Sequence, residues 1–207
     1  MTKGFFWDII EKNGGDDFMN SGKTKNLVLY AVLTALVIIL QAVGATIKFG
    51  MFSITLTLVP IVIGAALLGA KAGAWLGFVF SAVVIISGDA APFLAVNIPG
   101  TIITVIAKGT LAGLLTGLVY NALKNINIYV ATAISAIVCP VVNTGIFLIG
   151  CFVFFMDTIT MWATQLGFPS ASNYIIFGLV GVNFLLEVGA NVILSPAIIR
   201  LLKIKKA

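Results

Sequence analysis

The chain has 207 residues, 60% of them hydrophobic and 9% charged, with a net charge of +5. Globular domains carry about 25% charged residues, and a mean hydropathy of +1.16 leaves a water-soluble fold nowhere to hide its apolar surface. The composition therefore predicts an integral membrane protein, whose lysines report orientation in the bilayer and are not a nucleic-acid footprint.

Residues 1–24 are polar apart from an aromatic knot, GFFWDII. With Phe5, Phe6, Ile9 and Ile10 inward, the knot is either a short amphipathic helix at the membrane surface or a mobile tail. It does not read as a signal peptide, because Asp8 follows Trp7 at once and no long apolar core leads to a small-residue cleavage site. Six apolar stretches follow. A crossing takes about 20 mostly apolar residues, and each stretch is read as a spanning helix. The first covers 27–47, with Gln41 near its far end, and Lys48, Phe49 and Gly50 make a tight connection. The second, 54–69, contains Pro60, which is expected to remove a backbone hydrogen bond and kink the helix. After a short turn at 69–73, the third covers 73–87. Its Gly73, Gly77 and Ser81 form a small-residue face for close packing.

Residues 88–99 form a long break containing Asp89, Phe93 and Asn97. The fourth span, 100–123, carries Lys108 and a glycine every fourth residue at 109, 113 and 117, a spacing that lets another backbone approach. The fifth, 129–156, is broken by Pro140, with Asn143 and Thr144 a turn later. Its Cys139 and Cys151 lie about 18 Å apart along the axis, too far to pair. A second long break covers 157–173. The sixth span, 174–202, is the one the rest is organised around. Its Asn183, Glu187 and Asn191 recur every four residues and so share a helix face. No tandem repeat at a fixed period is visible.

Six spans put both termini on one side, and the lysines choose that side. Lys3, Lys12, Lys23, Lys25, Lys71, Lys124, Arg200, Lys203, Lys205 and Lys206 fall on it, and Lys48 alone on the other. The expected architecture is all-α: a bundle of six transmembrane helices over 25–207 with both termini cytoplasmic, preceded by a cytoplasmic or interfacial segment, 1–24.

A carboxylate near the bilayer centre costs about 3 kcal/mol on insertion scales, so Glu187 should face a polar site inside the bundle. Lys108 is the other ionisable group within an apolar run. Counting rise per residue, it lies about 12 Å from the outer start of its span and Glu187 about 20 Å from the start of the last, so the two could meet. They are either a structural ion pair or contacts for a polar ligand. Thr101, Thr104 and Lys108 share a face, Asn97 sits in the break above it, and Asn183 lies in the outer half of its span. With Asn143, the candidate substrate-binding set is Lys108, Glu187, Asn183, Thr104, Asn97 and Asn143. The amides also suit interhelical hydrogen bonds, the reading preferred for Asn191, and the threonines suit bonds to their own backbone. Trp75 and Trp162 read as aromatics at the membrane interfaces. Histidine is absent, which removes any Ser-His or Cys-His pair and the usual imidazole ligand of nickel, cobalt or zinc. There is no phosphate loop and no dinucleotide turn. No catalytic residue, metal or cofactor is expected, and if ATP drives transport the ATPase is another chain.

Over 27–84 the sequence resembles the S components, the substrate-binding subunits, of bacterial energy-coupling factor (ECF) transporters. Ala31-Val32-Leu33-Thr34-Ala35 is similar to the family's AxxxA docking motif. SITLTLVPIVIGAALLGAKAGAWLGFVFS is similar to its proline-bearing apolar strip, followed by LLG-x-x-x-G and a glycine-rich helix. The segment GFFWDII has no counterpart in that pattern. The resemblance implies high-affinity binding of a water-soluble vitamin or related micronutrient from outside the bacterial plasma membrane, without chemistry. It also implies docking on a membrane T component with two ABC ATPase subunits, with Ala31 and Ala35 meeting the T component. The subunit would topple in the membrane to release its ligand, and residues 46–53 and 88–99 would cover the site. With no histidine, the cobalt and nickel branch is excluded. A lysine at the site suits a carboxylate, and few aromatic residues near Lys108 suit a small flexible acid. Pantothenate is therefore expected ahead of riboflavin and folate. Two rival readings stand beside this one: a proton-coupled secondary transporter using Glu187, against which the missing inverted repeat counts, and a structural membrane subunit.

Overall fold

The structure, a computed structural model, describes the backbone of residues 3–46, 48–49, 52–53 and 56–206, and the side chains of 23–46, 56–181 and 183–200. The chain divides into two compact units, 1–32 and 33–207. Helix α1, Lys3–Gly44, runs through that boundary. The side chains of the aromatic knot lie outside the described residues, as does most of the expected cover at 46–53. There only two strands are described, β1 (Lys48–Phe49) and β2 (Phe52–Ser53), paired antiparallel.

Within the second unit, Leu33, Val37 and Gln41 are buried at successive helical turns of α1, while Ala35, Ile38 and Ile39 are exposed. Helices α2 (Leu58–Leu68) and α3 (Ala70–Ile86) follow, separated by Gly69. Gly69 has φ +95°, a left-handed backbone that glycine adopts without steric cost. After the four-residue α4 (Ala91–Leu94) come the long helices α5 (Ile98–Leu123) and α6 (Ile128–Phe154). Then come α7 (Met156–Gln165), α8 (Ala171–Asn173), a π-helical stretch Tyr174–Val180 and α9 (Gly181–Lys206). Among the described residues four helical stretches are long and apolar enough to cross a membrane: Lys23–Gly44, Ile98–Leu123, Ile128–Phe154 and Ala171–Arg200. Helices α2 and α3 are apolar but shorter. The 11 residues of α2 rise about 16 Å, roughly half of a 30 Å hydrocarbon core.

Three expectations change. Pro60 does not interrupt a helix. It is the third residue of α2, where the backbone N–H would have no intrahelical acceptor in any case. Helix α6 continues through Pro140 rather than breaking there. The break expected at 157–173 contains α7, whose Ile159 and Ala163 are buried in line with Phe155, one turn apart. One apolar face is enough to fold this otherwise polar stretch against the bundle.

Helix α3 packs on α5, α5 on α6, and α9 on α6 and α2. The α3–α5 contact is backbone against backbone. A methyl group on Gly73 or Gly77 would run into the carbonyl of Gly113 or Gly109, and one on Gly117 into the Cα of Ala70. Ser81 Oγ ties the seam by donating to Val105 O at 2.7 Å and Gly77 O at 3.0 Å.

Candidate substrate-binding site

The site is built from the start of α5. Asn97 is its N-cap, its Oδ1 accepting from Gly100 N at 2.9 Å, and Pro99 sits in the first turn. Both residue types favour helix initiation. From there Thr101, Thr104 and Lys108 follow on one side of α5. Thr101 donates back to Asn97 O at 2.7 Å, whereas Thr104 Oγ1 is buried with no partner among the described residues. Thr104 fits against α6 because Gly150 faces it: a Cβ there would strike the threonine side chain.

These residues form one wall of a cavity that α3, the 89–90 turn, α4, α6 and α9 complete. It encloses about 80 Å³ of space that water centres can occupy. About 10–15 Å³ on that measure holds one water, so the cavity has room for a small molecule. Helix α9 contributes Asn183 and Glu187, and α6 contributes Asn143, Thr144 and Phe147. Asn183 Nδ2 donates to Glu187 Oε1 at 3.0 Å, while Glu187 Oε2 and Asn143 Oδ1 are buried with no hydrogen-bond partner among the described residues. Among the described residues no acid oxygen lies within 4.0 Å of the Lys108 ammonium. Its Nζ stands instead over the rings of Phe80 and Phe147, 5.6 and 5.4 Å from their centroids, a cation–π arrangement.

Five of the six candidate residues, Lys108, Glu187, Asn183, Thr104 and Asn143, line this one cavity. Asn97 does not line it; its side chain caps α5. Asn191 lies a turn below Glu187 and donates to that residue's backbone carbonyl at 2.8 Å. Trp75 Nε1 donates to Thr34 Oγ1 at 3.3 Å, and Trp162 packs edge-on against Phe93 at 5.5 Å. Cys139 and Cys151, both buried on α6, are free thiols.

The expectation of few aromatic residues near Lys108 is overturned. Phe80, Phe93, Phe147, Phe155 and Phe184 all line the cavity, and Phe93 meets Phe147 and Phe155 edge-to-face at 5.6 and 5.1 Å. The candidate set also omits Asp89, which lines the cavity and accepts from Gln41 Nε2 at 3.0 Å. Gln41 Oε1 in turn accepts from Thr57 at 3.2 Å. The available signal was an acid beside Gly88, whose φ of +79° turns the chain; on its own it reads as an outward loop residue.

Helices of spanning length surround a cavity lined by one lysine, Lys108, and two acids, Asp89 and Glu187. The chain belongs to the family of ECF transporter substrate-specific components, whose family model matches residues 25–199. Members of that family are membrane-embedded substrate-binding subunits of transporters, not enzymes. No curated protein and no solved structure matches the chain.

Proposed function

We propose that this chain is the S component of a bacterial ECF-type importer for a water-soluble vitamin or related micronutrient. The ligand enters from outside and rests in the cavity between α5, α6 and α9, contacting Lys108, Glu187, Asn183, Thr104 and Asn143. A membrane T component and two ABC ATPases then drive its release inward. The observation that carries this reading is that Lys108 and Glu187 share one cavity without bonding each other. Intramembrane charges are expensive and normally find partners, and a bound ligand supplies them. On this reading the shorter apolar helices α2 and α3 join the four longer ones as membrane-embedded segments, and the lysine distribution supports cytoplasmic termini. Ala31 and Ala35 are each exposed, as contact with a T component requires. Pantothenate is the first carboxylate to test at Lys108, although the aromatic lining weakens the argument for a flexible aliphatic acid.

Mass spectrometry of the purified protein should find a copurified micronutrient. In vesicles, uptake should require the T component and ATPases, and Ala35→Trp should spare ligand binding while abolishing that uptake. Proton-driven uptake by the chain alone would overturn the proposal in favour of a secondary transporter relaying protons through Glu187.

A further inference from the structure

We infer that Phe80 and Phe147 are positioning residues for Lys108: their ring faces hold its ammonium at the cavity wall and keep it for an oxygen of the ligand. This rests on reading the cavity as the substrate site, and it adds two apolar residues to a set so far composed of polar ones. Lysines inside a membrane ordinarily pair with an acid. Here, among the described residues, no acid oxygen comes within 4.0 Å of Nζ. Nζ stands instead 5.6 Å from the centroid of the Phe80 ring and 5.4 Å from that of Phe147. Both distances fall inside the roughly 6 Å over which a ring face attracts a cation. Lys108 is only half-buried and lines the cavity.

The two rings come from different helices, Phe80 from α3 and Phe147 from α6, and α5 packs against both. Each ring is fixed by its own neighbour. Phe80 is 2% exposed and lies against the glycine seam, where a Cβ on Gly109 would stand 3.0 Å from its Cδ1. Phe147 meets Phe93 edge-to-face at 5.6 Å. The lysine stem has four flexible carbons, so the rings are what fix its end. A carboxylate in contact would hold the ammonium too, but it would neutralise the charge and occupy N–H donors. A ring face attracts through its quadrupole and carries no net charge, so the charge of Lys108 remains for the ligand.

The test is NMR of the purified full chain in detergent, with lysine isotope-labelled at Cε and the Lys108 signal assigned by its loss in Lys108→Arg. Protons over a ring face are shielded, so the Cε protons of Lys108 should resonate upfield of those of the other lysines. Phe80→Leu and Phe147→Leu keep an apolar side chain but remove a ring, and each should move the signal back toward the others. Phe147→Tyr keeps the ring and should leave it upfield. Acetate, the probe for an anionic oxygen, should shift the Lys108 signal on the unaltered chain. In Phe147→Leu the acetate needed should rise about 2- to 30-fold, the equivalent of one cation–π contact, and Phe147→Tyr should restore it. A Lys108 signal lying among those of the other lysines on the unaltered chain would overturn the assignment, whether or not the variants fold. So would acetate that leaves the signal unmoved, or an unchanged acetate midpoint in folded Phe147→Leu. These outcomes leave the S-component reading standing; that reading falls if nothing copurifies and uptake needs no partner chain.

Discussion

Helix α5 has two faces that are packed in opposite ways. Against α3 it presents Gly109, Gly113 and Gly117, and the two backbones touch with no room for a methyl group. Toward α6 and α9 it presents Thr104 and Lys108 and leaves a cavity lined by polar and aromatic side chains. Apolar burial gives little drive for helix association inside a bilayer, where close packing and hydrogen bonds take over. The glycine seam uses that close packing to hold α5 still. A rigid α5 can then present Lys108 and Thr104 at fixed positions while the opposite face stays open.

The largest effect should come from closing the seam's missing space. Gly113→Ala should destabilise the protein by about 3 kcal/mol, the upper part of the range for overpacking, seen as a lowered Tm and poor recovery of monodisperse protein. A normal Tm would mean the seam has slack and does not set the position of α5. Next, on the open face, the double change Lys108→Met with Glu187→Leu should give folded protein, since removing both buried charges together leaves neither facing the other's absence. That protein should lose about 10- to 200-fold in affinity for the copurified ligand, the equivalent of one charge-assisted hydrogen bond. Unchanged affinity in calorimetry would make the two charges structural. Between the faces lies the cap: Asn97→Ala should cost about 1 kcal/mol of stability and leave affinity intact, whereas a large affinity loss would bring Asn97 into the site. The smallest effect should be Gly189→Ala on α9. A Cβ there meets nothing within 4 Å, so the gain in helix propensity, up to about 1 kcal/mol, should raise Tm slightly. The same substitution thus reverses sign between the seam and an open helix face.

The parts of this comparison legible in the sequence were those written in local periodicity. The four-residue spacing of Gly109, Gly113 and Gly117 announced a close approach, and the spacing of Asn183, Glu187 and Asn191 announced a polar face. Simple counting of helical rise brought Lys108 and Glu187 to a similar depth, and both line one cavity without an ion pair between them. The aromatic lining was not legible, because Phe80, Phe93, Phe147, Phe155 and Phe184 come from separate segments. In a membrane protein a phenylalanine facing lipid and one facing a cavity look alike in sequence. Pro60 was misread because its effect depends on where the helix begins: two residues from the start it is harmless, and mid-helix it is a kink. Helix α7 was hidden because its buried residues, Ile159 and Ala163, stand among Asp157, Thr158, Thr160, Thr164 and Gln165.

The π-helical stretch Tyr174–Val180 has a consequence for angular phase. An α-helix turns about 100° per residue, so the number of residues between two side chains fixes the direction of one relative to the other. Tyr174, Ile175 and Leu179 are buried in the aromatic cluster with Phe93 and Phe155, while Asn183 and Glu187 line the cavity further along the same rod. The wider turn, bonded from each residue to the fifth beyond it, absorbs residues that a regular helix would convert into rotation. It acts as a vernier, aligning the cluster end and the cavity end of one continuous helix. A single-residue deletion inside 174–180 would swing one end by about a quarter turn relative to the other and take Glu187 out of line with Lys108 without touching either residue.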